Sequence, residues 1–517
     1  MDRIKRVFNN TGLLYVKMMI TMIISLFTVR IVLNSLGAAD YGTFNLVAGI
    51  IAMLSFLNSA MSNATQRYFS YYIGASDIGK LKSLFNSSIL IHLIIGLVIV
   101  LILKLCGLFL FDGILNIPIE RVYAAKTIFT FMIISTFFTV NSVPFDATII
   151  AHENFLFDAI SGTIESLLKL GIAGWVYYTK VDNLILYGLL IAVLTIIVCL
   201  IKAIYCFLKY EECTSPSFKK VNLSLMKELF AFAGWNLYGS FCYMISTQGL
   251  AVLLNMFFTV IVNAAYGIAN QVNAQLSSFS SNMMRALIPQ IVKSEGSGDR
   301  ERMLRLSMVG SKVSFFLLAF FSIPFIVEMP FILNIWLKTV PDATVMFCRL
   351  ILILSLIQQI SSGLMIAISS VGKIKVYQII MGSLLILNLP LAYFLIKSGF
   401  PPYSVLISSI FIECIALYFR MRLNKKITGL NVNDFLINIL FKSIISVILA
   451  SLFALIPHFF LEEGILRGIL SLAISVVSLS IFGMLIAFTS SEKKIIKELF
   501  ISMFSKALNL INNNRNV

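Results

Sequence analysis

Long, uninterrupted apolar runs dominate this chain and restrict it to very few folds. About fourteen of them are long enough to cross a hydrocarbon core of roughly 30 Å, which takes about 20 helical residues. They lie near residues 11–35, 43–66, 86–111, 122–148, 155–178, 184–208, 229–256, 260–287, 308–334, 344–370, 376–397, 402–423, 435–459 and 466–489. The runs lack the two-residue alternation of membrane β-strands, so they predict helices. With 59% hydrophobic and 12% charged residues, the chain is predicted to be an all-α polytopic membrane protein.

Part of the sequence occurs twice. The segment ILNI at residues 114–117 recurs at 332–335, and the serines, methionine and alanine of 55–64 recur with the same spacing at 277–286. We therefore predict that spans 1 to 6 and spans 7 to 12 form two six-helix lobes. Because six is an even number, both lobes enter the membrane in the same direction, and the repeat is parallel. Duplicated bundles of this kind are typical of transporters, which move two lobes around a central site.

The repeat and the charge pattern divide the chain into five parts. These are an N-terminal lobe (1–208), a cytoplasmic linker (209–228), a C-terminal lobe (229–424), a pair of extra spans (425–490) and a cytoplasmic amphipathic tail (491–517). Most Lys and Arg residues fall in the loops and tails that share a side with the N-terminus, so the positive-inside rule predicts that both termini are cytoplasmic. This topology also explains the net charge of +16 without nucleic-acid binding.

Basic side chains within or beside the first six spans are candidate ligands for an anionic group. Each costs roughly 2.5 to 3.5 kcal/mol at the centre of a span on insertion scales, so it needs compensation. Lys17 lies in span 1 and Lys169 near the middle of span 5, one turn after Glu165, with which it can pair. Snorkelling of Lys17 to the interface and a self-contained Glu165 and Lys169 pair are the open alternatives.

Two arginines complete the predicted cationic set. Arg30 lies near the outer end of span 1, and Arg67 closes the inner end of span 2. Taken singly, Arg30 is better explained by snorkelling, and ordinary positive-inside anchoring explains Arg67 as well as a role at the cytoplasmic mouth does.

Spans 7 and 8 carry a different polar surface, made of amides and hydroxyls. Its predicted members are Asn236 in span 7 and Asn270, Gln271, Gln275 and Ser278 in span 8. Gln271, Gln275 and Ser278 are spaced by four and three residues and so share one helix face. Amides suit sugar hydroxyls, although hydrogen bonding between helices is an alternative use. We expect one cationic wall to face one uncharged polar wall.

Motifs for catalysis or for metal binding are absent from the sequence. The run GxxxxGK at residues 74–80 has Leu81 in place of the Ser or Thr that binds Mg²⁺, and it follows a membrane helix. The three histidines are far apart, and the seven cysteines lack CxxC spacing. We expect no cofactor, no metal site and no enzymatic activity.

Four segments resemble a known group of membrane proteins. They are LGAADYG (36–42), ILNIPIER (114–121), VPFDATIIAHENF (143–155) and ILNIWLKTVPDA (332–343). In combination they resemble the polysaccharide-transporter or O-antigen flippase branch of the multidrug, oligosaccharidyl-lipid and polysaccharide (MOP, MATE-like) exporter superfamily. The resemblance implies two lobes arranged in a V and alternating access. It also implies transfer of a polyprenyl-pyrophosphate-linked O-antigen, capsule or exopolysaccharide unit to the outer leaflet of the bacterial inner membrane.

The resemblance also suggests partners and leaves rivals open. Coupling to H⁺ or Na⁺ needs an acid that titrates, and Glu165 and Asp146 are the candidates. Expected partners are the lipid-linked oligosaccharide, membrane lipids and other polysaccharide assembly proteins, but no nucleic acid. A cation-coupled multidrug exporter of the same superfamily is the main alternative. A membrane glycan polymerase or ligase is a weaker one, because such enzymes carry a large external loop, which this sequence lacks.

Overall fold

The computed structural model describes residues 2–52, 55–111, 117–179, 181–214, 221–337, 339–490 and 492–494. Every regular element in these ranges is a helix, which confirms the predicted all-α class. Most of the predicted C-terminal tail, 491–517, and residues 215–220 of the predicted linker lie outside the described ranges.

Eighteen α-helices are described in these ranges. The first lobe contains α1 Asp2–Ala52, α2 Ser55–Gly74, α3 Ile78–Phe109, α4 Val122–Ala151, α5 Phe155–Tyr177 and α6 Asn183–Lys209. The second lobe contains α7 Leu223–Phe257, α8 Val260–Gly296, α9 Arg300–Val327, α10 Met329–Trp336, α11 Thr344–Ile360, α12 Ser362–Val371, α13 Lys375–Lys397 and α14 Ser404–Thr428. The remaining helices are α15 Val432–Phe435, α16 Lys442–Ala454, α17 Ile456–Phe460 and α18 Ile465–Phe482.

The helix α1 contains the first span and the start of the second. Gly37 interrupts it with a φ of 75°, a conformation that costs a residue with a Cβ more than it costs glycine. The residue lies in the LGAADYG segment, and the break lets the chain reverse without a long loop.

Eleven helices in the described residues are long and apolar enough to cross a membrane. The three other predicted spans, 43–66, 155–178 and 260–287, also coincide with helices, in the end of α1 with α2, in α5 and in α8. These helices are more polar than the other eleven. The polar residues of these helices include candidates that the sequence marked, Glu165 and Lys169 in α5 and Asn270, Gln271, Gln275 and Ser278 in α8, whereas Asp158 in α5 was not among them.

The two lobes pack their helices in the same pairs. In the first lobe α1 packs on α5, α4 on α6, and α3 and α2 on α4, while α5 also meets α6. In the second lobe α11 and α12 form one broken span that takes the place of α4. In that lobe α7 packs on α13, as α1 does on α5, and the broken span packs on α14. Both α9 and α8 pack on the broken span, and α13 contacts α14. This correspondence is what a parallel repeat predicts.

The last two spans pack on the second lobe. Helices α16 and α18 contact each other and α9. Glu328, at the end of α9, is buried and accepts hydrogen bonds from Arg467 at 3.0 Å and from Ser471 at 2.7 Å, both in α18. Near the middle of α9, the buried Lys312 pairs with Glu492 at 2.9 Å. Two buried ion pairs therefore connect α9 to the last part of the described chain.

The lobes join at one end of the bundle only. Tyr15 donates to the carbonyl of Phe279 at 2.8 Å, and a Cβ on Gly74 or Gly296 would overlap the backbone of the opposite lobe. Within the described residues, no hydrogen bond or ion pair connects the lobes beyond Met18 along α1. We call the joined end, where α1 begins, the closed end and the other the open end. The cleft between the lobes therefore opens in one direction.

Candidate functional site

A charged cluster lies at the floor of the cleft, where both lobes contribute. The ammonium of Lys17 in α1 is 2.9 Å from a carboxylate oxygen of Asp158 in α5. The same oxygen lies 3.8 Å from the guanidinium of Arg285 in α8 of the second lobe. The Arg285 side chain is 42% exposed and that of Asp158 only 14%. Two cations and one carboxylate leave the cluster with a surplus positive charge. We call these three residues the floor cluster.

The helix α5 places Asp158 by its own sequence pattern. Asn154 caps the helix by accepting a hydrogen bond from the backbone of Phe157. Asp158 follows in the first turn, and Gly162, one turn further, gives the Lys17 side chain room to cross, since a Cβ there would lie 2.5 Å from the Cε atom of Lys17. The large apolar residues Ile160, Ile164 and Leu167 are exposed and lie on the opposite face.

Two other lysines inside the first lobe, Lys169 and Lys202, are paired as well. Lys169 lies 2.6 Å from Glu165, which confirms the predicted pairing within α5. Asp146 in α4 pairs with Lys202 in α6 at 2.9 Å and accepts a hydrogen bond from Ser142 at 3.1 Å. Of the four predicted cations, the two lysines are therefore held in ion pairs. The side chain of Lys169 is 40% exposed, so it stays accessible to a ligand although it is paired with Glu165.

The two predicted arginines occupy different environments. Arg30 is exposed on α1, more than three turns toward the open end from Lys17, and it makes no ion pair within the described residues. Arg67 is buried between the lobes, where it donates to the carbonyl of Ser370 at 2.9 Å. Its guanidinium also lies 4.5 Å from the ring centre of Tyr68. Through these contacts Arg67 helps to join the lobes at the closed end.

A buried carboxylate strengthens the closed end. Glu153, which has a φ of 60°, accepts hydrogen bonds from Gln290 at 2.7 Å and from Lys293 at 2.6 Å, both in α8 of the other lobe. The sequence analysis did not single it out, although it lies in the segment 143–155 that carries part of the resemblance. Ion pairs and backbone contacts together hold this end shut.

An uncharged cavity of about 790 Å³ lies inside the second lobe, between α7, α8 and α11. Its lining consists of Tyr243, Thr247, Gln248, Ala251, Asn263, Tyr266, Gly267, Asn270, Asn273, Ala274, Ser277, Ser281, Ser355, Gln358 and Gln359. None of these side chains carries a charge at neutral pH, and six of them are amides. We call this the amide cavity.

The predicted amide residues distribute over three places. Asn270 lines the amide cavity. Gln271 and Gln275 are exposed on the neighbouring face of α8, and Ser278, on the same face, contacts Met18 of the first lobe at 3.5 Å. Asn236 accepts a hydrogen bond from Gln378 of α13 at 3.0 Å. It therefore makes a hydrogen bond between helices, which is the alternative to sugar binding that the sequence allowed. The structure therefore does not bring all five predicted residues into one site.

Two cavity residues, Gln358 and Gln359, were missed by the sequence analysis. They are adjacent amides in an otherwise apolar span, and this pair is the sequence feature that could have identified them as site residues. The helix breaks directly after them, because α11 ends at Ile360 and α12 begins at Ser362. Arg420 holds this break by donating to the hydroxyl of Ser361 at 2.7 Å, while it also pairs with Glu413. Such breaks within a membrane are tolerated where they border protein or a cavity.

The amide cavity and the floor cluster are neighbours along α8. Ser281 lines the cavity, and Arg285 follows one helical turn later on nearly the same face. An elongated ligand with a neutral part and an anionic part can therefore contact both. No group of His, Cys, Asp and Glu in the described residues is arranged to hold a metal ion.

Comparisons with known proteins agree with this architecture. The family model MatE matches residues 15–174, and no curated protein sequence matches the chain. A MATE crystallised in complex with MaD3S superposes with a TM-score of 0.71 at 12% identity, covering 83% of this chain and 97% of that one.

Two further structures are similar over the same length. One, described as the outward-facing conformation of a multidrug resistance MATE family transporter of the MOP superfamily, has a TM-score of 0.70 at 14% identity and covers 82% and 96% of the two chains. The other is a MOP superfamily transporter from Pyrococcus furiosus, described as having a binding pocket of reverse polarity, with a TM-score of 0.69 at 13% identity and 84% and 96% coverage. The chain therefore has the fold of MATE transporters of the MOP superfamily, and its first lobe matches the sequence model of that family.

Proposed function

We propose that this protein is a flippase that moves a polyprenyl-pyrophosphate-linked oligosaccharide across a bacterial inner membrane by alternating access. The cargo class is an O-antigen, capsule or exopolysaccharide unit, which crosses from the inner to the outer leaflet. The fold supports the transport part of this proposal, since two lobes joined at one end can exchange which end is joined. The protein acts without chemical catalysis, and other polysaccharide assembly proteins supply and consume its cargo.

The orientation follows from the distribution of basic residues. Lys80, Lys82 and Lys293 lie at the closed end, and so do the first residues of α1. The positive-inside rule puts that end, with both termini, in the cytoplasm. The open end then faces outward, so the described conformation is the one that releases cargo to the outer leaflet.

The two polar regions match the two polar parts of the cargo. The pyrophosphate binds at the floor cluster, where Lys17 and Arg285 offer cations and Asp158 holds them in place. The sugars enter the amide cavity one turn away along α8. Arg30 and Lys169 provide further exposed cations in the first lobe. The lipid tail needs no polar shelter, and it stays in the bilayer beside the gap between the lobes.

The absence of charge from the cavity lining is the observation that carries this proposal. An exporter of organic cations would be expected to place acidic side chains around its cargo. The polar groups that line the amide cavity are all amides and hydroxyls, and the remaining lining is aromatic rings, alanine and glycine. These groups replace water around sugar hydroxyls, since each amide offers both donors and acceptors.

Coupling to an ion gradient is assigned to the first lobe. Asp146 and Glu165 each pair with a lysine there, and protonation or Na⁺ binding at either carboxylate would loosen its pair. The Asp146 pair joins α4 to α6, so loosening it changes how the first lobe packs, whereas the Glu165 pair lies within α5. H⁺ and Na⁺ both fit this role.

A cation-coupled multidrug exporter is the second candidate function. Two observations favour it: one similar structure is described as a multidrug resistance transporter, and the first lobe contains Asp146, Asp158 and Glu165 inside its spans. Each of these carboxylates is already paired with a lysine, which leaves less negative charge for a cationic drug.

Reconstitution into vesicles separates the two candidates. Purified protein is incorporated with a polyprenyl diphosphate that carries a fluorescent oligosaccharide, and quenching by an impermeant reagent reports the leaflet of the headgroup. We expect faster transfer than in protein-free vesicles, and no gradient-driven export of ethidium. Ethidium export without headgroup transfer would overturn the proposal in favour of the drug exporter.

A pair of lysine variants tests the floor cluster in the same assay. Lys17→Met removes the cation that contacts Asp158 and should slow headgroup transfer at least tenfold. Lys80→Met is the matched control, because Lys80 is exposed at the closed end and pairs only with the surface residue Asp77. Equal rates for both variants would remove the floor cluster from the site.

A further inference from the structure

We propose that the amide cavity selects glycans whose sugars are uncharged, such as hexoses and N-acetylhexosamines, and excludes sugars with a carboxylate or a free amine. This inference rests on the proposed function and adds the chemical class of the sugars to it. It follows from which side chains line the cavity, which of them lack partners, and what surrounds them.

Four of the cavity amides are available to a ligand. In the described part of the chain, the side chains of Gln248, Asn263, Gln358 and Gln359 make no hydrogen bond to the protein. Each brings an acceptor oxygen and two donor hydrogens. Hydroxyl and acetamido groups also combine donors and acceptors, so they can satisfy these amides in either direction. A carboxylate can only accept, and an ammonium can only donate.

The remaining amides shape the cavity wall. Asn273 accepts from Ser277 at 3.1 Å and from Ser355 of α11 at 2.6 Å, so it links α8 to α11. Asn270 donates to the carbonyl of Tyr266 at 2.9 Å. These bonds fix the lining before a ligand arrives, which lowers the ordering cost of binding.

Aromatic surface suits the apolar face of a sugar ring. Tyr243 lines the cavity and is 54% exposed, so its ring is open to a ligand. Pyranose rings present a face of C–H groups, and such a face packs on an aromatic ring while the hydroxyls point to the amides. The cavity volume of about 790 Å³ lies within the range of pockets that enclose drug-sized ligands, which corresponds to a short oligosaccharide.

Nothing in the lining would neutralise a charged sugar. The buried ion pair behind the helix break, Arg420 with Glu413, is already complete, and Arg420 also donates to Ser361. A uronic acid in the cavity would therefore lose its water without gaining a counter-ion, which is costly in a low-dielectric site. An amino sugar with a free ammonium meets the same difficulty. The cations of the floor cluster lie outside the lining and serve the pyrophosphate.

Two lipid-linked probes that differ at one carbon test this selectivity. Both are polyprenyl-diphosphate disaccharides with the same fluorophore, and the terminal sugar is glucose in one and glucuronic acid in the other. Full-length protein in vesicles is assayed for headgroup transfer, with wild-type protein as the primary measurement because it needs no variant to fold. We expect the glucose probe to move at least tenfold faster. Equal rates for the two probes would overturn the selectivity and leave the flippase proposal intact, whereas no transfer of either would overturn the flippase proposal.

A charge placed in the lining provides the complementary test. Gln359→Lys supplies a counter-ion inside the cavity and should raise transfer of the glucuronate probe several-fold relative to the glucose probe. Asn45→Lys is the matched control, because Asn45 is exposed on α1 of the first lobe, away from the cavity. Ratios that change equally in both variants would contradict a selective role for the cavity, since the added charge would then act without entering it.

Discussion

The interiors of the two lobes differ in charge although their helices pack in the same pairs. The first lobe encloses ion pairs, Lys17 with Asp158, Lys202 with Asp146 and Lys169 with Glu165. The second encloses a cavity lined by amides and hydroxyls. Two lobes whose helices pack in the same pairs thus have polar interiors of different kinds. In the proposed function, this difference corresponds to two roles: the charged groups bind phosphate and couple transport to an ion, and the neutral hydrogen-bonding groups bind sugar.

Removing the carboxylate of the floor cluster should have the largest effect. Asp158→Asn leaves Lys17 and Arg285 facing each other without a counter-charge at the junction of the lobes. Because the pair is partly buried, breaking it should cost less than the roughly 3 kcal/mol of a fully buried pair but more than the roughly 1 kcal/mol of an exposed one. We expect headgroup transfer to be lost and the melting temperature of the purified protein to fall.

Asp77→Asn is the control for that variant. Asp77 caps α3 at the closed end by accepting from the backbone of Lys80, an interaction that holds its pKa below its usual range. Asparagine caps a helix equally well, so stability and transfer should stay near those of the wild type. Similar losses in both variants would mean that Asp158 has no special role.

Replacing cavity amides should have the next largest effect, on transfer alone. The double variant Gln358→Leu with Gln359→Leu keeps the side-chain size and breaks no hydrogen bond to the described part of the protein. Losing two ligand hydrogen bonds should slow transfer about tenfold, which corresponds to about 1.4 kcal/mol in the barrier. The melting temperature should not fall. A lower melting temperature with normal transfer would assign these residues to packing.

Replacing Gly162, which leaves room for the Lys17 side chain, is expected to have a smaller effect on the rate of headgroup transfer. A Cβ at position 162 would lie 2.5 Å from Cε of Lys17 and push the ammonium from Asp158. Gly162→Ala should therefore slow transfer a few-fold. Gly171→Ala on the same helix is the matched control, because its Cβ would meet nothing within 4 Å and it changes the same backbone preference. Identical behaviour of the two variants would show that the lysine adjusts without loss.

The smallest effect is expected at the exposed pair of α5. Lys169→Ala breaks a pair whose lysine is 40% exposed, so the free energy of unfolding should change by about 0.5 kcal/mol or less. The rate of headgroup transfer decides the role of Lys169. A slower rate at unchanged stability supports contact with the cargo, and a wild-type rate would remove Lys169 from the proposed site.

The sequence predicted the helices better than it predicted the site, for physical reasons. Apolar length alone identifies a membrane helix, so the spans and the repeat could be found without tertiary information. Which face of a helix meets which neighbour cannot be read in this way. Gln271 and Gln275 share a face that lies beside the cavity, while Asn273 and Ser281 on the adjacent face line it. The rotation of α8 is fixed by its packing on α9 and α11.

Two arginines show the same limit of prediction from sequence. Arg67 and Arg285 end spans 2 and 8 at corresponding positions, and nothing in the sequence distinguishes them. In the structure Arg67 is buried against Ser370 and a tyrosine ring, while Arg285 remains 42% exposed beside Asp158. Each role depends on contacts with the opposite lobe. Of the two, Arg285 is the one whose side chain stays exposed beside the cleft.

Photo-crosslinking from the terminal sugar tests the proposed division of these two roles between the lobes most directly. A lipid-linked oligosaccharide with a diazirine on its last sugar is bound to full-length protein in vesicles, irradiated, and the labelled peptides are identified by mass spectrometry. The account predicts labels in residues 243–281 and 344–360, which form the amide cavity. Labels confined to residues 122–208 of the first lobe would contradict it, because the sugars would then lie among the ion pairs.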